Sequence, residues 1–207
     1  MVESLYSKLT NPQQVQNTHF VDRFGGDLLD ERWLATVLRG TGGVTFIDEI
    51  DEAINIRALG TPAPQFKTKI SFGMNRQYNE DGCVMIGIWR GLETTNNPNK
   101  MALVNISSDA ANTNFLQQAG AGVFNISTND GTTTTSSVGS AYNELEFQLF
   151  EIELTPTTAT LIANGILEIT HTTNLPTVRL EPTFQQNSQT ANVAKNMRVT
   201  YAEAFNT

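Results

Sequence analysis

Apolar and polar residues alternate along this chain with a period of two, in short runs divided by Gly, Asn, Thr and Pro. That period belongs to strands that bury one face and solvate the other. Turn signals divide the runs: Gly25-Gly26, Gly42-Gly43, Asp81-Gly82, Asp130-Gly131 and Asn164-Gly165, pairs that accept the backbone angles of tight turns. The clearest unit is TATLIANGILEITH, residues 158–171, where Asn164-Gly165 supplies both positive-φ positions of a type I′ hairpin. Further strands are predicted over 66–72, 83–89, 101–106, 122–127 and 197–204.

Leu145, Phe147 and Leu149 alternate with Glu146 and Gln148, after which Phe150, Ile152 and Leu154 alternate with Glu151 and Glu153. A strand cannot exchange faces without an extra residue, so a β-bulge or a crossing between sheet surfaces is predicted at Leu149-Phe150. Residues 129–140, NDGTTTTSSVGS, read as an exposed loop or a weak edge strand, and 94–100, TTNNPNK, as a turn. One helical turn is predicted over 110–118, with Asp109 as N-cap ahead of Phe115 and Leu116. Residues 1–18 are polar and interrupted by Pro12, which reads as an N-terminal arm. Residues 19–207 then make one domain, since antiparallel sandwiches often use about two hundred residues for a single core.

Charge and composition narrow the function. Charged residues are only 16% of the chain, its formal net charge is −8, and no basic cluster exists, so nucleic acid is not an expected partner. No apolar run approaches membrane-spanning length, so neither is a membrane. A polar but weakly charged surface packs against like copies, or offers hydrogen bonds to sugars, at low desolvation cost. A homo-oligomer and glycan ligands are therefore expected. Cys83 stands alone and cannot close an internal disulfide, and one Cys with two His falls short of a structural zinc site. The first residues, with Glu3 and no apolar stretch, lack the pattern of a secretory leader. A polar, weakly charged surface without that leader suits a phage particle released by lysis, and localisation at the virion surface is expected.

FVDRFGGDLLDERWLATVLRGTGG, Phe20 to Gly43, holds Phe-x-Asp-x-Phe followed by Leu-Asp-x-x-Trp, and FEIELTP, LIANGILEITHTTNLP and NMRVTYAEAF follow in order. In these segments, spanning about 20–205, the chain resembles the concanavalin A-like lectin and glucanase domains, laminin G-like jelly rolls among them. The resemblance implies an all-β, antiparallel two-sheet jelly-roll sandwich with Phe20, Phe24, Leu29 and Trp33 in its packing and Asp30 shaping a turn. It implies fold and not activity, because lectins, carbohydrate-binding modules, glycoside hydrolases, and virion decoration and fibre proteins share this sandwich.

Glucanases of this kind carry Glu-x-Asp-x-Glu, which sets alternate carboxylates on one strand face, as retaining hydrolysis requires. In FIDEIDEA, residues 46–53, Glu49 and Asp51 match, but Ala53 and Ile54 stand where the third carboxylate belongs. No catalytic residue is assigned. Glu151 and Glu153 read as the outward face of a half-buried strand, and His19 and His171 have no nucleophile context, His171 being expected on the hairpin surface or capping a hydrogen bond. The oxygen-rich NEDG, residues 79–82, fits a calcium site or an Asx-type turn, the turn being preferred; no cofactor is assigned and no metal ligand named. For glycan binding the candidates are Tyr78, Trp89 and Arg90, since rings stack on pyranoses and guanidinium binds hydroxyls, with core packing as the competing role for Trp89. The sequence thus predicts a non-enzymatic virion structural protein, a lectin-like capsid decoration or fibre protein bound to the major capsid protein. A carbohydrate-binding module and a glycosidase with a degenerate carboxylate motif are the alternatives.

Overall fold

The alternation resolves into two antiparallel sheets laid face to face. The computed structural model describes residues 19–24, 29–47, 53–59, 66–72, 78–79, 81–92, 99–104, 113–119, 123–188 and 193–207. In chain order the strands are β1 (Phe20–Asp22), β2 (Leu34–Arg39), β3 (Thr41–Ile47), β4 (Ala53–Leu59), β5 (Phe66–Ser71), β6 (Cys83–Gly91), β7 (Asn99–Val104) and β8 (Thr113–Ala119). They continue with β9 (Val123–Asn129), β10 (Thr134–Ala141), β11 (Gln148–Leu154), β12 (Ala159–Ala163), β13 (Ile166–His171), β14 (Glu181–Ser188) and β15 (Lys195–Asn206). The first sheet runs β13-β12-β11-β6-β15-β4-β3, with β1 also paired to β15. The second runs β10-β9-β8-β7-β14-β5-β2. The chain is an all-β jelly-roll sandwich, with no helix among the described residues. The expected N-terminal arm, residues 1–18, lies outside them.

Each strand contributes alternate residues to the space between the sheets. Ile54 and Ile56 of β4, Met85 and Trp89 of β6, Phe150 and Ile152 of β11 and Met197 and Val199 of β15 face Ile70, Met101, Leu103, Ile126 and Phe184 of the second sheet, all buried. Phe20, Phe24 and Trp33 join them as the family-like opening implies, and Leu29 packs at their margin. The rings of Phe20, Trp33 and Phe72 meet edge to face with centroids 4.9–5.4 Å apart. Such pairs add about 0.5–1.5 kcal/mol each beyond their buried area. Asp30 does shape a turn: its carbonyl accepts from Trp33 N at 2.9 Å and its carboxylate from Arg32 N at 3.0 Å.

The Asn164-Gly165 hairpin forms as predicted, with φ of 50° and 80°. Its anchor is reciprocal: Asn164 N donates to the Leu149 carbonyl at 2.8 Å and Leu149 N to Asn164 Oδ1 at 3.0 Å. Three expectations are corrected. The phase switch at Leu149-Phe150 involves no bulge, because β11 begins only at Gln148 and pairs in unbroken register with β6 and β12. Leu145 and Phe147 belong to the preceding turn, where alternation has no facing sheet to obey. Of the region expected to hold a helical turn, residues 113–118 instead belong to β8, paired with both β7 and β9, since two flanking ladders satisfy the backbone better than one isolated turn; Asp109 and residues 110–112 lie outside the described residues. Gly42-Gly43 lies inside β3 rather than in a turn, because a Cβ at Gly42 would collide with the Arg57 carbonyl oxygen and the Thr68 hydroxyl. Of the two readings of 129–140, the edge strand is the one formed, as β10 after a turn at Asp130-Gly131. The turn expected within 94–100 lies outside the described residues up to Pro98.

Candidate functional site

The three residues singled out for glycan contact are not brought together. Tyr78 and Trp89 are wholly buried, Trp89 stacked against Phe150 with centroids 5.0 Å apart, so neither offers a ring face to a ligand. Arg90, the next residue on β6, emerges on the opposite face, where its guanidinium lies 4.5 Å from the centroid of Phe147 and donates to the Leu145 carbonyl at 3.4 Å. Period-two geometry makes this separation unavoidable for adjacent strand residues. Glu49 and Asp51 lie outside the described residues, while Ala53 and Ile54 are buried at the start of β4. At NEDG the chain turns: Gly82 N donates to the Asn79 carbonyl at 3.4 Å and Asn79 N donates to Asn206 Oδ1 at 2.8 Å.

His171 is buried rather than on the hairpin surface. Its ring joins the two sheets, Nδ1 with Thr128 Oγ1 at 3.0 Å and Nε2 with Ser137 Oγ at 2.9 Å. Burial holds its pKa below the ordinary imidazole value, which favours the neutral ring. This edge is laced further by Asn174 Nδ2 donating to Thr135 Oγ1 at 2.7 Å and Ser140 Oγ donating to Glu168 Oε2 at 2.7 Å. The hydrogen-bonding role expected of His171 is thus structural.

Two outward faces remain. On the second sheet, Phe184 enters the core, so Glu181, Thr183, Gln185 and Asn187 of β14 point outward. Register sets Thr183 between Ser71 and Ala102, and Gln185 between Lys69 and Lys100. Gln185 Nε2 donates to Asn187 Oδ1 at 2.6 Å. The face continues over β9 and β10 with Asn125 and Ser127 beside Val138 and Ser136, the two serine hydroxyls 2.6 Å apart. Its centre is closed to solvent: Lys69, Ser71, Ala102, Glu181, Thr183 and Gln185 are all buried. Its β9–β10 flank is open, with Thr134, Ser136 and Val138 exposed. Asn125 is half-buried there, and its Oδ1, itself buried, has no hydrogen-bond partner among the described residues.

On the first sheet, Glu151 and Glu203 stand on either side of Ile86 in register. Burial raises the pKa of Glu151, and the neighbouring charges of Glu153 and Glu203 add to it. Burial also pushes Glu203 upward, but the Tyr201 hydroxyl, donating at 2.5 Å, and His19 Nε2 outweigh it and leave the pKa below the ordinary value. Carboxylates of divergent proton affinity are the raw material of acid–base hydrolysis. Here their backbones stand two strand spacings apart, about 9–10 Å, with Ile86 between them in register. Glu151 and Glu153 do form the outward, half-buried face that alternation predicts. Glu203 escaped sequence reading because cross-strand neighbours carry no linear spacing.

No protein-family model matches this chain, and a search of curated protein sequences finds no match. Solved structures do resemble it. An endo-β-galactosidase from Clostridium perfringens that releases GlcNAcα1-4Gal superposes with a TM-score of 0.68 at 15% identity, over 95% of this chain and 64% of that one. This chain therefore spans less than two thirds of that enzyme's length. A β-1,3-1,4-glucanase (lichenase) derived from a mouse hindgut metagenome gives 0.65 at 11% identity, over 92% of this chain and 100% of the other. The carbohydrate recognition domain of Emp47p also gives 0.65 at 11%, over 91% and 94%. At these identities the likeness is one of fold, the concanavalin-like sandwich that both hydrolases and lectins use.

Proposed function

We propose that this chain is a non-catalytic glycan-binding sandwich that contacts sugars through the β9–β10 flank of its second sheet. The observation that carries the proposal is the chemistry of that sheet's outward face. Hydroxyl and amide side chains dominate it, and among the described residues its one carboxylate is Glu181, closed to solvent. The sequence of β8 adds no Asp or Glu. Glycoside hydrolysis uses two carboxylates flanking the bond, about 5–5.5 Å apart for retention and about 6.5–9.5 Å for inversion. Amides and hydroxyls recognise sugar hydroxyls without attacking the glycosidic bond. The likeness to a carbohydrate recognition domain supports the binding half of the proposal, and the likeness to glycosidases makes the non-catalytic half worth testing.

Glycan-array binding by the wild type, lost in an Asn125→Ala, Ser136→Ala double variant that melts normally, is the expected result. Release of reducing ends from β-glucan or β-galactan, reduced by Glu181→Gln, would overturn it.

A second reading concerns a protein partner. Leu149, Ile166 and Leu167 are 39%, 63% and 61% exposed at the β11–β13 end of the first sheet, and apolar groups of this kind favour a protein contact. A coat protein on a phage particle, as composition led us to expect, is the partner we propose for this end. Co-sedimentation of the purified chain with particles, abolished by Leu167→Glu, tests it; the absence of co-sedimentation by the wild type would remove it.

A further inference from the structure

From the groove on the outward side of β3 and β4 we infer a second ligand site, distinct from the β9–β10 flank, that takes an anionic saccharide, a sugar unit bearing a carboxylate or sulfate. The groove has a volume of about 380 Å³ and is lined by Thr41, Gly43, Thr45, Asn55, Arg57 and Leu59, with Gly42 at its base. Register explains the arrangement: Thr41 pairs with Leu59, Gly43 with Arg57 and Thr45 with Asn55. The inward residues of β4, Ile54, Ile56 and Ala58, are buried in the core. Asn55, Arg57 and Leu59 therefore point outward on one side of the groove and the two threonines on the other.

Four features of this place fit such a ligand. Gly43 presents no side chain, and a Cβ placed there would meet nothing within 4 Å, so the floor opposite Arg57 is open. Arg57 is exposed, and its guanidinium offers the planar donor fork that matches a carboxylate or sulfate. Asn55 Nδ2 donates to Asn196 Oδ1 at 3.2 Å, which leaves Asn55 Oδ1 a buried acceptor without a donor that a turn of the amide would present to a sugar hydroxyl. The Thr45 side chain adds a hydroxyl that can donate and accept, and Thr41 Oγ1, which donates to the Leu59 carbonyl at 3.4 Å, adds an acceptor. The neighbouring row, continuing from Asn55 across β15 and β6, holds Arg198 and Arg90 in direct register. In a chain whose formal net charge is −8, three arginines within three adjacent strands of one face favour an anion at this place over an uncharged ligand.

Gly43 also makes the test clean. Its backbone lies in an extended strand without positive φ, so a β-branched residue fits there without strain while filling the groove. Binding of a trigalacturonate and of a sulfated disaccharide is measured by calorimetry on the wild type and on Gly43→Val, Arg57→Gln and Asn125→Ala, with neutral galactotriose and inorganic sulfate as controls. The expected result is that an anionic sugar binds, that Gly43→Val and Arg57→Gln each weaken it at least tenfold with unchanged melting temperature, and that Asn125→Ala leaves it intact. Tighter binding of the uronate or of the sulfated sugar identifies which acid the groove prefers. Equal affinity for galactotriose, equal affinity for sulfate alone, no binding of either anionic sugar at millimolar concentration, or binding indifferent to both groove variants would overturn the site. Because Asn125 belongs to the other face, failure here and failure of the β9–β10 proposal are read separately.

Discussion

Single positions in this sandwich carry separable duties. His171, on the first sheet, is buried and hydrogen-bonded to Thr128 and Ser137 of the second, and burial holds its pKa below the ordinary imidazole value of 6.5 by disfavouring the cation. Between the folded value and about 6.5 the unfolded chain therefore binds more protons than the folded one. Stability is full above pH 6.5 and falls as the pH drops below it. In urea unfolding, His171→Gln is expected to flatten the slope between pH 6.5 and 5 relative to wild type, while lowering stability near neutrality by about 1–2 kcal/mol for the altered buried hydrogen bonds. At Gly87, a Cβ would come within 2.5 Å of Met101 Sδ and 2.9 Å of the Phe184 ring, across the gap between the sheets. Gly87→Ala is expected to destabilise the fold by about 1–3 kcal/mol, the usual penalty of overpacking, whereas Gly43→Ala, with open space at its Cβ, should leave the denaturation midpoint close to wild type. Such glycines look alike in sequence, and only the opposing sheet distinguishes them.

At the scale of elements, legibility followed the facing. The β12–β13 hairpin was readable because Asn164 and Gly165 meet a backbone demand that few residues satisfy. β5, β6, β7, β9 and β15 were readable in outline, with boundaries off by up to two residues: β6 and β15 bury one face and half-solvate the other, and β5, β7 and β9, though more deeply buried, still carry apolar residues such as Phe66, Ile70, Met101, Leu103, Phe124 and Ile126 between turn signals. β14 was not readable: all eight residues of EPTFQQNS are buried, on both faces, so its polar side chains break the alternation that marks a strand. The same blind spot hid the outward face of the second sheet, whose Thr183 and Gln185 gain meaning only from neighbours on β5 and β7. Trp89 and Arg90 misled in the reverse direction, since adjacency in sequence places them on opposite sides of one strand. The hairpin supplies its own test. Asn164→Ala loses the donor to Gln148 Oε1 at 2.6 Å and the acceptor for Leu149 N, and forces a Cβ into positive φ without a polar side chain. A loss of about 1–2 kcal/mol is expected, and Asn164→Gly, which keeps the turn angle free, should lose less; equal losses would place the whole effect in the hydrogen bonds.

For the whole molecule, the two sheets enclose Cys83 completely, and as the chain's one cysteine it forms no internal disulfide. Native protein should stay unlabelled by a thiol reagent while guanidinium-unfolded protein labels fully, so that the labelling rate in intermediate denaturant reports opening of the core; rapid labelling of the native chain would mean that the β6 end opens locally. Strand order adds a temporal constraint. β15 lies between β6 and β4 at the heart of one sheet, and β14 between β7 and β5 at the heart of the other. As the chain emerges from a ribosome, β4 and β6 must wait for residues 195–206, and β5 and β7 for residues 181–188. Neither layer closes on nascent chain that stops short of them. The interior has to assemble late, from partners far apart along the chain, and such topologies fold slowly. During that interval the unpaired edges of β4, β5, β6 and β7 are open to any holding chaperone, and to each other in a neighbouring nascent copy.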